Sequence, residues 1–276
     1  MHRPNFINSH TLDLKKIGGI VFDKDGILID SEPFLIRNIL DAAKTYLKLE
    51  QLPDLLLTQM QKSFGQTHLK VARDFYGIIQ NTGFEIKEPE HLWPDVFTDI
   101  CRTNWAEQAK LGKVKKKNGV DKLFAHIRNQ KIPTAMYTGT VRPMADVDIE
   151  IILAAKDLFK DPFIVTSDDP RVTNLEKSDP RGWELMANAL GEHHEIAVSD
   201  IIAFEDRASG ALGALRAGLK QVIVVPDPND APHDVDPYKF ENYWDKKGLI
   251  KEHLQNHPDD QEKLVFLHSL ENLTFA

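Results

Sequence analysis

Asp23 and Asp25 stand one residue apart, directly after the apolar run 18–22, and Gly26 follows them. A second acidic pair, Glu205-Asp206, follows another apolar run, 201–204. Side chains two apart on an extended segment point the same way, so Asp23 and Asp25 would face one ligand while Lys24 points elsewhere. With Glu205 and Asp206, as many as four carboxylates would meet. Their repulsion in a partly dry site demands a cation. Mg2+ is hard, seeks oxygen and keeps part of its water, which makes it the expected ion. Such an ion would draw a phosphate group with it.

A carboxylate attacks phosphorus to give an acyl phosphate, provided a metal offsets its repulsion from the phosphoryl oxygens. Asp23, at the strand end, is the better held for in-line attack. Asp25, one step out, would protonate the leaving alkoxide and then deprotonate the attacking water. Thr138 offers a hydroxyl donor and the backbone around Gly139 offers N–H groups, although Thr138 would equally suit a helix cap. Lys177 supplies a compact positive charge for Asp23 and the phosphoryl group. Gly26 lets the chain turn away close to the ion.

The elements that position these residues follow from apolar spacing. Short strands are expected at 18–22, 132–137, 163–166, 201–204 and 221–225. Helical spacing covers 32–49, 55–62, 68–80 and 93–108 without convincing strand alternation, then 120–129, 141–157, 182–190 and 208–217. Alternating strands and helices imply a mostly parallel sheet with helices on both faces. In such sheets ligands bind beyond the carboxyl ends of the strands, where the residues above converge. The helical stretch after the first strand implies an inserted lobe. The expected organisation is a tail at 1–17, a core at 18–31 and 113–237, a helical lobe at 32–112 and a helical extension at 238–276.

The 276 residues carry a formal charge of -8 and one cysteine, Cys101. The length allows one large core or a core with a smaller lobe. A single cysteine excludes a disulfide framework or thiolate cluster and suits a cytoplasmic setting. No apolar run is long enough to span a bilayer, and none near Met1 resembles a signal peptide. Net acidity weighs against nucleic acid as a partner. Four lysines within 113–117 read as a solvated stretch, with phosphate steering the alternative. Asp168 reads equally as a loop cap or as a group near the metal. The eleven histidines show no metal-site spacing.

The segments 22–32, 137–140, 177–180 and 204–210 resemble, in order, the four motifs of the haloacid dehalogenase-like superfamily. That resemblance implies a Rossmannoid core with a helical cap, Asp23 as nucleophile and Asp25 as acid/base. It implies Mg2+ held by Asp23, the Asp25 carbonyl and Asp206, with Glu205 near the metal's waters. The inserted lobe resembles the cap of the sugar-phosphatase and β-phosphoglucomutase branch. The dehalogenases lack the second aspartate, so Asp25 argues for phosphoryl transfer. Ser178, Arg181 and Arg207 depart from the family pattern without removing a catalytic group. The mutases of this branch carry Gly-x-x-Arg in the cap, and here Gly65-Gln66-Thr67-His68 ends in histidine. Gln66 and His68 are candidates to touch a sugar or polyol. A Mg2+-dependent phosphatase of small phosphomonoesters is the expected activity. A hexose-phosphate mutase and a non-catalytic scaffold are the alternatives.

Overall fold

Runs rich in β-branched and aromatic residues form the central strands, as expected for a sheet buried on both faces. The structure is a computed structural model that describes residues 6–7, 9–61, 68–226, 244–245 and 248–276. In chain order the elements begin with β1 (Phe6–Ile7), β2 (His10–Leu12), β3 (Gly19–Phe22) and β4 (Ile29–Asp30). Helices α1 (Glu32–Leu47), α2 (Asp54–Gln61), α3 (His68–Asn81) and α4 (Trp93–Lys110) follow. The chain continues through β5 (Lys115–Lys116), α5 (Val120–Gln130), β6 (Thr134–Tyr137), α6 (Arg142–Val147) and a π-helical turn, Asp148–Ile152. Then come β7 (Ile164–Val165), α7 (Arg181–His194), β8 (Ile201–Glu205), α8 (Ala208–Arg216) and β9 (Gln221–Val224). The last elements are α9 (Leu249–Asn256), β10 (Leu264–Leu267) and β11 (Leu273–Phe275).

The main sheet has the order β1-β10-β9-β8-β3-β6-β7, and every neighbouring pair is parallel. Alternate residues enter opposite cores. Ile20, Phe22, Ile202 and Phe204 face one side, and Val21, Ile201 and Ala203 face the other. Phe22 stacks on Phe204 with centroids 5.1 Å apart and meets Phe124 of α5 edge-on at 6.3 Å. Truncating such a residue to alanine costs about 3–5 kcal/mol. Helices α7 and α8 cover the second face with Trp183, Met186, Ala211 and Leu215. The fold is therefore the expected Rossmannoid sheet with an inserted helical cap.

In the cap, Trp93, Phe97, Cys101, Trp105 and Ala109 recur every fourth residue of α4 and are buried. That stripe packs α4 against α1 and α3, and α4 also reaches α6 and the π turn of the core. Strands β4 and β5 pair antiparallel where the chain leaves the core and returns, with Ile29 opposite Lys116. Within the lysine run, Lys116 pairs with Asp121 and Lys117 with Asp30. Among the described residues, no helix is long and apolar enough to cross a membrane.

Three expectations need correction. The terminal regions are not a tail and a purely helical extension, because β1 pairs with β10 and β2 with β11. Leu264 to Leu267 is a four-residue apolar run that β9 recruits as a further strand, which spacing alone does not distinguish from a helix turn. The helix expected over 141–157 is regular only to Val147. It loosens into the π turn, and Ala154 then adopts a left-handed φ of 49° that ends it. The third strand is also shorter than expected, at Ile164–Val165.

Candidate active site

Strand register brings the chemistry together. Phe22 is level with Phe204 on β8 and with Met136 on β6, so the next residues, Asp23, Glu205 and Tyr137, lie in one row at the carboxyl ends. The Asp23 N–H donates to the Phe204 carbonyl at 2.9 Å, and the Thr138 N–H to Val165 at 3.0 Å. Ligand oxygens of Asp23, Glu205 and Asp206 all lie within 4.8 Å of one another, and the three residues are buried. Lys177 donates to Asp23 Oδ1 at 2.6 Å and to Glu205 Oε1 at 2.7 Å. Its ammonium lies 5.8 Å from the Tyr137 ring centre and 5.7 Å from that of Trp183.

Glu205 is fully engaged, since its Oε2 accepts the Arg207 N–H at 2.6 Å. Asp206 is not. Both its carboxylate oxygens are buried without a hydrogen-bond partner among the described residues, and the Arg207 Nε lies 3.8 Å from Oδ2. Buried carboxylates are as a rule satisfied, and orphaned oxygens beside two further acids are a set of donors that could hold a divalent cation. Close backbone approach maintains this packing. A Cβ on Gly26, whose φ is +78°, would lie 2.0 Å from Asp206 Oδ2, and one on Gly210 would lie 1.6 Å from Glu205 Oε1.

Electrostatics follows from burial. Burial pushes the Asp23 carboxyl up to about 6, opposed by Lys177 and reinforced by Glu205 and Asp25. Asp206 rises well above the usual range through burial, with Glu205 and Asp23 adding to it. Burial would lower Lys177, but Asp23 and Glu205 overcome it and hold the ammonium charged.

The four carboxylates do not converge as expected. Strand β3 ends at Phe22, and the Asp25 carboxylate takes its hydrogen bonds in a second cluster. Its Oδ1 accepts from Lys24 Nζ at 2.6 Å and Ser31 Oγ at 2.7 Å. Its Oδ2 accepts from Thr140 Oγ1 at 2.6 Å, with Thr138 Oγ1 at 3.4 Å. Burial alone would raise Asp25, but the charge and hydrogen bond of Lys24, with Thr140 and Ser31, bring it to about 2. Lys24 does not point to solvent. It is fully buried and reaches Asp148 Oδ2 at 2.6 Å, while Trp105 of α4 donates to Asp148 Oδ1 at 2.5 Å.

Thr138 is buried and also accepts the Thr140 N–H at 3.2 Å. It does not cap the next helix. Asp168 does that from outside, accepting the Arg142 N–H at 2.9 Å. Among the described residues, a Cβ on Gly139 would meet nothing within 4 Å. His68 sits on the cap with Nε2 3.2 Å from Thr98 Oγ1, and burial pushes its imidazole down to about 4 against the pull of Asp168. Gln66 lies outside the described residues. Sequence reasoning missed Lys24, Ser31, Thr140, Asp148 and Trp105. Thr140 carried a signal, standing two residues beyond Thr138. It also missed Trp244, whose indole N–H donates to the Asp206 carbonyl at 2.6 Å.

A family profile described as haloacid dehalogenase-like hydrolase matches residues 17–218. Among curated proteins, (DL)-glycerol-3-phosphatase 2 of Arabidopsis thaliana is 25% identical over 224 residues, covering 76% of this chain and 79% of its own. Among solved structures, CbbY from Rhodobacter sphaeroides in complex with phosphate superposes with a TM-score of 0.60 at 20% identity, covering 82% of this chain and 90% of its own. A HAD hydrolase, family IA, variant 3, from Entamoeba histolytica gives 0.59 at 20% identity, covering 94% and 96%. The chain belongs to the haloacid dehalogenase-like hydrolase family and is an enzyme of its phosphatase type.

Proposed function

We propose that the protein is a Mg2+-dependent phosphatase of small phosphomonoesters, with sugar and polyol phosphates as the substrate class. The observation that carries this reading is Asp206, with two orphaned buried oxygens beside Asp23 and Glu205. The likeness to a glycerol-3-phosphatase supports the polyol end of that class. Asp23, Asp206 and the Asp25 carbonyl would hold Mg2+, with Glu205 near its waters. When bound, Mg2+ supplies positive charge that offsets the phosphoryl oxygens.

Oδ1 of Asp23 is occupied by Lys177 and by the Lys24 N–H at 2.7 Å, so Oδ2 is the attacking atom. Its lone pair forms the new O–P bond as the ester O–P bond breaks, and the leaving alkoxide takes the proton of Asp25. Water then gives its proton back to Asp25 and bonds phosphorus, and the acyl phosphate breaks at its O–P bond to free Asp23. Thr138, the Gly139 backbone and Lys177 hold the transferring group. The surroundings of Asp25 favour its carboxylate form, which suits the second step better than the first.

A panel of sugar, polyol and nucleoside phosphates, assayed with and without Mg2+ for free phosphate and for isomerised ester, tests the reading. Mg2+-dependent phosphate release from a polyol or sugar phosphate is expected. Folded protein inert towards every member would refute it, and isomerisation outrunning hydrolysis would replace it with a mutase.

A further inference from the structure

The lysine between the two aspartates has no place in the chemistry above, yet its side chain is completely buried. An apolar residue would fill the same space without desolvating an ammonium, and replacing a buried ion pair with apolar groups is often neutral or stabilising. A buried lysine is therefore weak support for a purely structural role. Its contacts are better organised than stability requires. Lys24 Nζ donates to Asp25 Oδ1 and Asp148 Oδ2, both at 2.6 Å. The other oxygen of Asp148 accepts the indole N–H of Trp105, which lies on cap helix α4 and is itself fully buried. Asp148 opens the π-helical turn, an irregularity common at functional sites.

We propose that Lys24 is a positioning residue for Asp25, anchored to the cap through Asp148 and Trp105. It rests on the reading of Asp25 as acid and base. A carboxylate has about four lone-pair sites. On Asp25 two short donors, Lys24 and Ser31, take Oδ1. Oδ2 has one short donor, Thr140, and a long contact to Thr138 at 3.4 Å. Thr138 is the proposed phosphate donor, so Oδ2 is the oxygen on the substrate side and the one with room for the transferred proton. Lys24 holds Oδ1 inward and thereby presents Oδ2. Without it the carboxyl rotates about its Cβ–Cγ bond, and proton transfer to the leaving group loses its geometry. Asp148 fixes Lys24, and Trp105 makes that fixation depend on where α4 sits.

The test compares phenyl phosphate with 4-nitrophenyl phosphate, two esters of similar shape whose leaving groups differ in their need for a proton. Asp25→Asn, Trp105→Phe and the double variant Lys24→Met/Asp148→Leu are measured for kcat on both esters, with melting followed by circular dichroism. The double variant removes one positive and one negative charge together, so the net charge of the cluster is unchanged and Asp25 keeps Ser31 and Thr140 as donors. Its kcat on phenyl phosphate should fall about tenfold further than on the nitrophenyl ester, a part of the 100-fold or more that a general acid contributes. Trp105→Phe, which deletes only the N–H, should shift the ratio in the same direction by about threefold, and it carries the test if the double variant does not fold. Equal losses on both esters in every folded variant of the triad, beside a shifted ratio in Asp25→Asn, would overturn the role of Lys24 alone. An unshifted ratio in Asp25→Asn would overturn the acid itself, and Lys24 with it.

Discussion

Gly26→Ala is the most discriminating single change in the acidic cluster, because it adds one methyl group and no charge. Gly26 has a φ of +78°, and its Cβ would lie 2.0 Å from Asp206 Oδ2 and 2.7 Å from Asp206 Cγ. Left-handed backbone costs a Cβ-bearing residue about 1–2 kcal/mol. Overpacking adds about 1–3 kcal/mol. The protein should therefore lose about 2–5 kcal/mol of stability and still fold, given the typical margin of 5–15 kcal/mol. The functional cost should exceed the structural one. The Asp206 carboxylate must retreat from 2.0 Å to 3.4 Å or beyond to reach ordinary contact, and a displacement of about 1 Å already costs about 100-fold in rate when it disturbs reacting groups. Urea unfolding at 25 °C gives the stability term. Titration calorimetry with Mg2+ gives the affinity, and phosphate release at saturating Mg2+ gives the rate. If the variant binds Mg2+ within twofold of the wild type and turns over normally, Asp206 is not a ligand and the assignment of the orphaned carboxylate is wrong.

Two further expectations follow from the same geometry. Asp23→Asn keeps the shape of the side chain but cannot form the acyl phosphate, so turnover should fall by more than ~1,000-fold with the fold intact; rapid quench and mass mapping should place the phosphoryl group of the wild type on Asp23, and a map to another residue would refute the nucleophile. His68 has its folded value lowered from 6.5 to about 4, so the unfolded chain binds the extra proton first and stability is lost as pH falls through that window, by at most about 3 kcal/mol. His68→Gln should flatten the difference in urea midpoint between pH 7 and pH 5, and an unchanged slope would show that the imidazole is not desolvated.

The catalytic edge was legible because its signals are local. A buried strand is four or five apolar residues, and an acid immediately after it is unusual enough to mark the strand end. Two such ends, at Asp23 and Glu205, fall into one row with Tyr137, the residue before Thr138, once the strands pair in parallel. The separate hydrogen-bond cluster of Asp25 was not legible, because two-residue alternation is a rule for strands and β3 ends at Phe22. Nor was Lys24. Its partner Asp148 is 124 residues away, and a long flexible side chain can fold back in a direction that strand alternation does not describe. The terminal strands were missed for another reason. Two- to four-residue strands have no period to measure, and only the sheet edge that receives them decides their conformation.

The two lysines divide the acids into groups that differ in what they still need. Asp25 and Asp148 share Lys24, and every oxygen of that group has at least one short donor. That group is closed. Asp23 and Glu205 share Lys177 and Asp206 faces Arg207 at 3.8 Å, which leaves one negative charge over when all three are ionised, and among the described residues nothing donates a hydrogen bond to the Asp206 carboxylate. Before a cation binds, the raised values of Asp23, at about 6, and of Asp206 mean that these carboxyls keep their protons to higher pH than a free aspartate does. Divalent binding must then expel them, because a carboxyl binds the ion only when ionised. Mg2+ titrated at pH 6 into two buffers of different ionisation enthalpy should show a net proton release, and its affinity should rise with pH. Raising the folded values also means that the metal-free protein loses stability as pH rises above the unfolded carboxylate range of about 4, until these groups ionise in the folded state. Saturating Mg2+ should reverse that loss, and at about 100 times its dissociation constant it should raise the melting temperature by about 5 °C. Binding without proton release at pH 6, together with a metal-free stability that does not fall with pH, would show that the three acids are not coupled as the buried cluster requires.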